Sequence, residues 1–296
     1  MSKYKVLLFY KYVDVNNPEK LVEEHLSWCL QNDIRGRVFF AKEGVNGTVS
    51  GTKENIERYK THLTSYPEFS DIWFKEDEAE YHAFKKMHVR LKKEIVHGDL
   101  EDVKIEHGGK KLSPEELLKF YEEGKEFVIV DARNWYESMI GRFKNAITPP
   151  LKNFREWKKY VDEELIKFKD KPVITYCTGG IRCEKASAYL VEKGFKEVYQ
   201  INGGIFNFIK KYPDTYWEGG MFVFDERRVV IPNSKPELKH IAKCYFCGEP
   251  TSYYINCHNV DCDKIIVCCH DCKVKNDYCC SEDCRRSPNK RKVYHG

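Results

Sequence analysis

At 296 residues the chain has room for two or three domains of roughly 100–150 residues each, and its composition is that of an ordinary globular protein. No apolar run approaches the ~20 residues of a membrane span, and the first residues lack a signal peptide's apolar core, which predicts a cytoplasmic protein with no membrane contact. The net charge of +4 is too small to identify a nucleic-acid binder by itself, so any basic surface must be local.

Residues 1–98 read as a small α+β domain. A strand over 5–10 is followed by Asn16-Asn17-Pro18, and Leu21, Val22, Leu26, Cys29 and Leu30 then mark an amphipathic helix over 18–32. Residues 37–41 form a second strand, and Asn46-Gly47 reads as a hairpin turn into a third strand ending at Gly51. A helix over 53–64 and strands at 72–75 and 89–91 complete the β-α-β-β-α-β order of a ferredoxin-like unit. The polar stretch 42–47 is either a plain turn or a backbone surface for a ligand. Lys85, Lys86, His88, Arg90, Lys92 and Lys93 alternate with Phe84, Met87 and Leu91. A strand with that pattern has one packed and one cationic face, suited to a phosphate backbone or simply to solvent.

Residues 99–239 read as a second domain. Residues 99–112 are an acidic, then glycine-bearing linker with a short strand. Ser113-Pro114-Glu115-Glu116 is a helix start, with serine as cap, proline in the first turn and acids near the positive dipole end. Strands at 127–131, 173–176 and 197–201 alternate with helices near 135–138, 154–168 and 183–193. Such alternation predicts an open parallel α/β sheet with helices on both faces, and a site beyond the carboxyl ends of its strands. Asp131-Ala132-Arg133, Cys177 and Asn202-Gly203-Gly204 all lie at such ends.

Cys177 carries the strongest chemical signal. An apolar strand stops at it, Thr178-Gly179-Gly180-Ile181-Arg182 follows, and a helix then begins. Loop N–H groups and the positive helix end point at the sulfur, the glycines let the backbone curl around it, and Arg182 adds a fixed cation. The Cys177 thiol is therefore expected below the ordinary value of about 8.5.

Of thirteen cysteines, only Cys29, Cys177 and Cys183 precede residue 240; the other ten crowd into 240–296. Two C-x2-C knuckles in a reducing compartment read as metal ligands. Two structural zinc sites are expected: Cys244, Cys247, Cys269 and Cys272 for one, and Cys257, Cys262, Cys280 and Cys284 for the other. Cys268 and Cys279 are alternatives to their neighbours, as are His258 and His270 as nitrogen ligands. The tail is too short to bury a core, so metal would supply its folding energy. Arg285, Arg286, Lys290, Arg291 and Lys292 end it as either a disordered tail or an RNA contact.

Val128, Asp131-Ala132-Arg133, Gly141-Arg142-Phe143, the loop 177–182 and Gly203-Gly204 together resemble a rhodanese domain. Cysteine phosphatases place five residues between cysteine and arginine where this loop has four, which argues against phosphatase chemistry. Glu43-Gly44-Val45-Asn46-Gly47-Thr48, the loop string and Cys279-Cys280-Ser281-Glu282-Asp283-Cys284 occur together, and the combination resembles the bacterial tRNA uridine hydroxylase family over nearly the whole chain. The resemblance implies a rhodanese-like α/β domain behind a ferredoxin-like (acylphosphatase-like) one. It also implies tRNA as partner and oxygen-dependent 5-hydroxylation of the wobble uridine, with Cys177 essential. No flavin or nicotinamide fingerprint and no iron triad is evident, so molecular oxygen enters through the resemblance alone. No protein partner is evident.

On the residues themselves, Cys177 and Arg182 are the candidate catalytic pair. Thr178, Gly179, Gly180 and Ile181 are loop contacts to substrate, and Arg133, Glu137 and Arg142 either line the pocket or tie the sheet together. Two other readings stay open: a sulfurtransferase carrying a persulfide on Cys177, and an RNA-binding scaffold. Cys183 is then either a resolving thiol or a packing residue.

Overall fold

The computed structural model describes residues 3–213, 215–231 and 239–292. The first unit runs β1 (Tyr4–Tyr12), α1 (Pro18–Gln31), β2 (Arg35–Ala41), β3 (Gly44–Thr52), α2 (Lys53–Thr64), β4 (Phe74–Ala79) and β5 (Met87–Leu91). Its five strands lie in the order β4-β1-β3-β2-β5, with β5 added parallel to β2 at the edge. Asn17 and Thr52 cap the two helices by accepting from backbone N–H groups three residues on. Alternation divides β1: Leu7 and Phe9 pack with Cys29, Ile56, Tyr59 and Leu63 beneath the helices, while Val6, Leu8 and Tyr10 point to the other face.

Two expectations need correction here. Asn46-Gly47 is not the hairpin turn; β2 and β3 are joined by Lys42-Glu43, and Asn46 and Gly47 lie inside β3 opposite Phe39 and Val38. Gly47 is required there because a Cβ would sit 2.4 Å from the Phe9 ring. The fourth strand starts later than expected and runs on through Glu76-Asp77-Glu78, because Lys5 and Lys60 neutralise Glu76 and Lys53 neutralises Glu78.

The second unit contains β6 (Lys110–Leu112), α3 (Pro114–Glu122), β7 (Val128–Asp131), α4 (Trp135–Ile140), β8 (Gly141–Phe143), α5 (Trp157–Tyr160), β9 (Pro172–Tyr176), α6 (Ile181–Glu192), β10 (Glu197–Ile201), α7 (Gly204–Lys211) and β11 (Trp217–Gly219). Its sheet is parallel in the order β6-β10-β9-β7. Val173 and Cys177 face one apolar core with α6 and Trp157, while Ile174 and Tyr176 face a second with α7. Helices thus cover both faces. The stretch expected as one helix over 154–168 is instead a relay of 3-10, α, π and 3-10 turns. Its buried anchors Trp157, Val161 and Leu165 recur every four residues, ahead of the 3.6-residue period, and the wide π turn absorbs the drift.

The last unit has two hairpins, β12 (Met221–Phe222) with β13 (Val229–Val230) and β14 (Tyr254–Asn256) with β15 (Ile265–Val267), then α8 (His270–Lys275) and α9 (Glu282–Arg286). Its core cluster is mostly cysteine, with Ile255 and Ile266 the buried aliphatics. None of the described helices is long and apolar enough to cross a membrane.

Candidate active site

Cys177 closes β9, and the loop after it is built to hold a thiolate. The Gly180 N–H reaches its Sγ at 3.1 Å, and Gly180 takes φ +103, a conformation that a side chain would strain. The neighbouring strand's loop locks the carbonyls: the Ile205 and Phe206 N–H groups donate to Cys177 O and Thr178 O at 2.9 and 3.0 Å. Burial alone would push the Cys177 thiol up. The Cys183 thiol, the Arg182 guanidinium and the Cys183 and Arg182 N–H groups outweigh burial and bring it down to about 6. Cys183, buried against Cys177 in the core, moves the opposite way because burial and the adjacent thiolate both disfavour its ionisation.

Arg182 is itself held. Its Nη1 and Nη2 donate to both oxygens of buried Glu137 at 2.6 and 2.8 Å, a bidentate fork at the start of α4. Glu137 also accepts from the Asn134 N–H at 3.0 Å, so the helix cap, the carboxylate and the arginine form one unit.

Arg133 does not line the pocket. It is fully buried, donating from Nε and Nη2 to Asp131 and from Nη2 to Gly141 O, while Ser138 Oγ donates to the same carboxylate. Apolar packing around Tyr176 and Trp217 closes over it, so its charge ties β7 to β8. Arg142 sits on β8 opposite Glu218 of β11, also outside the cavity wall.

The first unit roofs the loop. Its open sheet face and the Cys177 loop enclose a cavity of about 400 Å3, in whose wall Cys177, Thr178, Gly179, Ile181 and Arg182 stand. The fit is close: a Cβ on Gly179 would lie 2.7 Å from Leu8, and one on Gly180 2.9 Å from the Tyr10 hydroxyl. Tyr10 donates to Glu184 at 2.9 Å, and buried Lys185 binds Glu94 at 2.7 Å and Glu43 at 2.9 Å. The polar stretch 42–47 is therefore a docking element: Glu43 pins α6, and Asn46 donates to Ile95 O at 2.8 Å. Two buried polar atoms in the wall, Thr178 Oγ1 and Asn134 Oδ1, have no hydrogen-bond partner among the described residues, which suits a polar ligand.

Sequence reasoning missed Leu8, Tyr10 and Asn134. The signal was in β1, where 6–10 is apolar on both faces and so requires a cover on the second.

The ten tail cysteines include two sets of four whose sulfurs lie within 4.8 Å of one another: Cys244, Cys247, Cys269, Cys272 and Cys257, Cys262, Cys280, Cys284. The sulfur separations Cys247–Cys269, Cys262–Cys280 and Cys280–Cys284 are 3.8, 3.6 and 3.7 Å. A tetrahedron with metal–sulfur bonds of ~2.3 Å has edges of about 3.8 Å, so both sets fit a bound metal ion. The Cys269 and Cys280 N–H groups donate to Cys244 and Cys257 sulfurs, which steadies the thiolates. In the basic end, Arg285 and Arg286 pair with Glu282 on α9, and Arg291 binds Asp263 and Cys257 O.

Three family models match in succession: a UPF0176 acylphosphatase-like domain over residues 4–95, a rhodanese-like domain over 113–211 and a rhodanese C-terminal region over 218–285. A relative from Acholeplasma laidlawii, named tRNA uridine(34) hydroxylase, is 45% identical over 99% of this chain and 92% of its own. A Staphylococcus aureus relative of the same name is 45% identical over 98% of this chain and 92% of its own. Among solved structures, a rhodanese-like domain from Anabaena sp. is 20% identical, covers 43% of this chain and 84% of that one, and has a TM-score of 0.32.

Proposed function

We infer, because this chain belongs to the tRNA uridine(34) hydroxylase family, that it is an oxidoreductase installing a hydroxyl group on uridine 34 of tRNA. The position we assign is C5 of the base, with molecular oxygen as co-substrate and the cytoplasm as location. One observation carries the assignment to Cys177: a sulfur brought down to about 6 stands in the wall of a 400 Å3 cavity, a volume suited to one nucleoside. In our reading the flipped or unstacked uridine enters, and the Cys177 thiolate adds to C6 of the ring, activating the neighbouring C5. Arg182, fixed by Glu137, and the Gly180 N–H hold the sulfur as thiolate. The exposed basic side chains of the β5 region, Lys85, Lys86, His88, Arg90, Lys92 and Lys93, are the phosphate contacts we propose for the tRNA.

The two tetrahedral cysteine sets are assigned to structural zinc, whose chemistry there is to fold the tail, since four thiolates leave no open position. The whole-length likeness favours hydroxylation over sulfur transfer. A strain deleted for the gene is expected to lose 5-hydroxyuridine and its derivatives from tRNA, with Cys177→Ala unable to restore them. Unchanged nucleoside mass spectra in the deletion would overturn the activity. Rapid thiosulfate-to-cyanide turnover with no tRNA phenotype would instead establish a sulfurtransferase.

A further inference from the structure

The cavity contains a cation that the reading above does not use. Lys75 on β4 is 4% exposed, and among the described residues no carboxylate pairs with it. Its ammonium instead lies 4.2 Å from the Trp73 ring centroid and 4.9 Å from that of Tyr10. The sheet register fixes where it points. Lys75 is the lateral partner of Leu8 on β1, and Leu8 is the residue that a Cβ on Gly179 would strike. The Tyr10 hydroxyl is equally close to Gly180. Lys75 therefore stands on the roof of the cavity directly across the loop that carries Cys177, and both residues belong to its wall.

A buried ammonium without a counter-ion is costly, and aromatic faces offset only part of that cost. Burial brings Lys75 down to about 8, and the Cys177 thiolate and Glu184 act in the opposite direction, which keeps it protonated at neutral pH. An arrangement that holds a bare cation opposite a thiolate is preorganised for negative charge appearing between them.

We propose that Lys75 is a catalytic residue whose ammonium donates to O4 of the bound uracil and stabilises the enolate formed when Cys177 adds to C6. The proposal rests on the thiolate-addition reading given above. In that step the S–C6 bond forms, the C5=C6 π pair moves into the C5–C4–O4 system, and the charge comes to rest on O4. No oxidant is consumed. The enolate can take a proton from solvent at C5, and loss of the original C5 proton with S–C6 cleavage then returns uridine.

That reversible step can be measured without oxygen. Anaerobic incubation of wild-type protein with an anticodon stem-loop RNA in D2O is expected to exchange hydrogen for deuterium at C5 of the target uridine, read by mass spectrometry. Lys75→Met is expected to slow exchange ~100–1000-fold, the usual loss on removing one preorganised oxyanion donor. RNA affinity and its salt dependence should stay unchanged, and Lys75→Arg should recover part of the rate. A structural role would instead lower the unfolding temperature of Lys75→Met, whereas removal of an unpaired buried charge should leave it equal or raise it. Undiminished exchange in Lys75→Met, or weakened RNA binding with a salt slope reduced by about one, would overturn the proposal. The latter result would make Lys75 a phosphate anchor. If wild-type protein itself shows no exchange, thiolate addition fails as a reading; if only Cys177→Ala loses exchange, addition stands and Lys75 alone is refuted.

Discussion

At the scale of single residues, Arg182 does two things that one substitution can separate. It supplies positive charge to the Cys177 sulfur, and it is the counter-ion of Glu137, which has no exposure to water. Only the thiolate is nucleophilic, so activity is expected to fall as pH drops through about 6, where Cys177 takes up its proton. Arg182→Ala removes a cause of the depression, so the acid limb of the rate profile should move to higher pH. The same change strands a buried carboxylate and should cost about 3–5 kcal/mol of stability, measured by denaturant unfolding. The double variant Arg182→Ala/Glu137→Gln should regain part of that stability without bringing the acid limb back. If stability and pH profile recover together, the arginine acts only through packing. Lys75 is the counterpart on the opposite wall: its sequence neighbourhood of Trp73, Phe74 and Glu76 gives no sign of function, and only the sheet register reveals it.

At the scale of elements, the parallel sheet and its loop were legible because each rests on local chemistry: continuous apolar strands, a serine-capped helix with its full capping box, and glycines beside a cysteine. The two cysteine sets were legible for the same reason, since ligand spacing is a local property. What the sequence hid depends on partners distant in the chain. Asn46-Gly47 has the local signature of a turn but lies within β3, because the Phe9 ring on the next strand occupies the space a side chain would need. Arg133 resembled a pocket residue because it follows a strand end, yet Asp131 and the Gly141 carbonyl draw it inward. Gly204 shows how one element acts on another. It has φ +66 at the start of α7, and a Cβ there would lie 2.3 Å from Cys177 O. Gly204→Ala therefore pays about 1–2 kcal/mol of backbone strain and must also push the Cys177 loop away. We expect a lower unfolding temperature and a weaker thiolate ultraviolet absorbance relative to a Cys177→Ser reference. Gly194→Ala shares the positive φ (+81) but meets nothing within 4 Å, so it should show strain alone with the thiolate intact.

At the scale of the whole molecule, the site exists only between units. The roof is held by Lys185 with Glu43 and Glu94, by Tyr10 with Glu184, and by Arg227 with Asp77. The tail adds a further support: Ala242 and Val267 pack with Phe222 against Ile140 of α4, the helix whose first turn carries Glu137. The tail's own core has too few aliphatic side chains to order it, so its fold should depend on bound metal. Freshly prepared protein is expected to contain two zinc ions per chain, one for each cysteine set. Cys257→Ser should remove one of them, whereas Cys268→Ser and Cys279→Ser, outside both sets, should retain both. Chelation should make the tail susceptible to proteolysis while the two preceding units resist. Activity should then fall with the loss of α4's packing partner, even though none of the eight cysteines of the two sets belongs to the cavity wall. Less than one zinc per chain, or a tail that stays protease-resistant after full metal removal, would mean that packing on α4 folds it without metal.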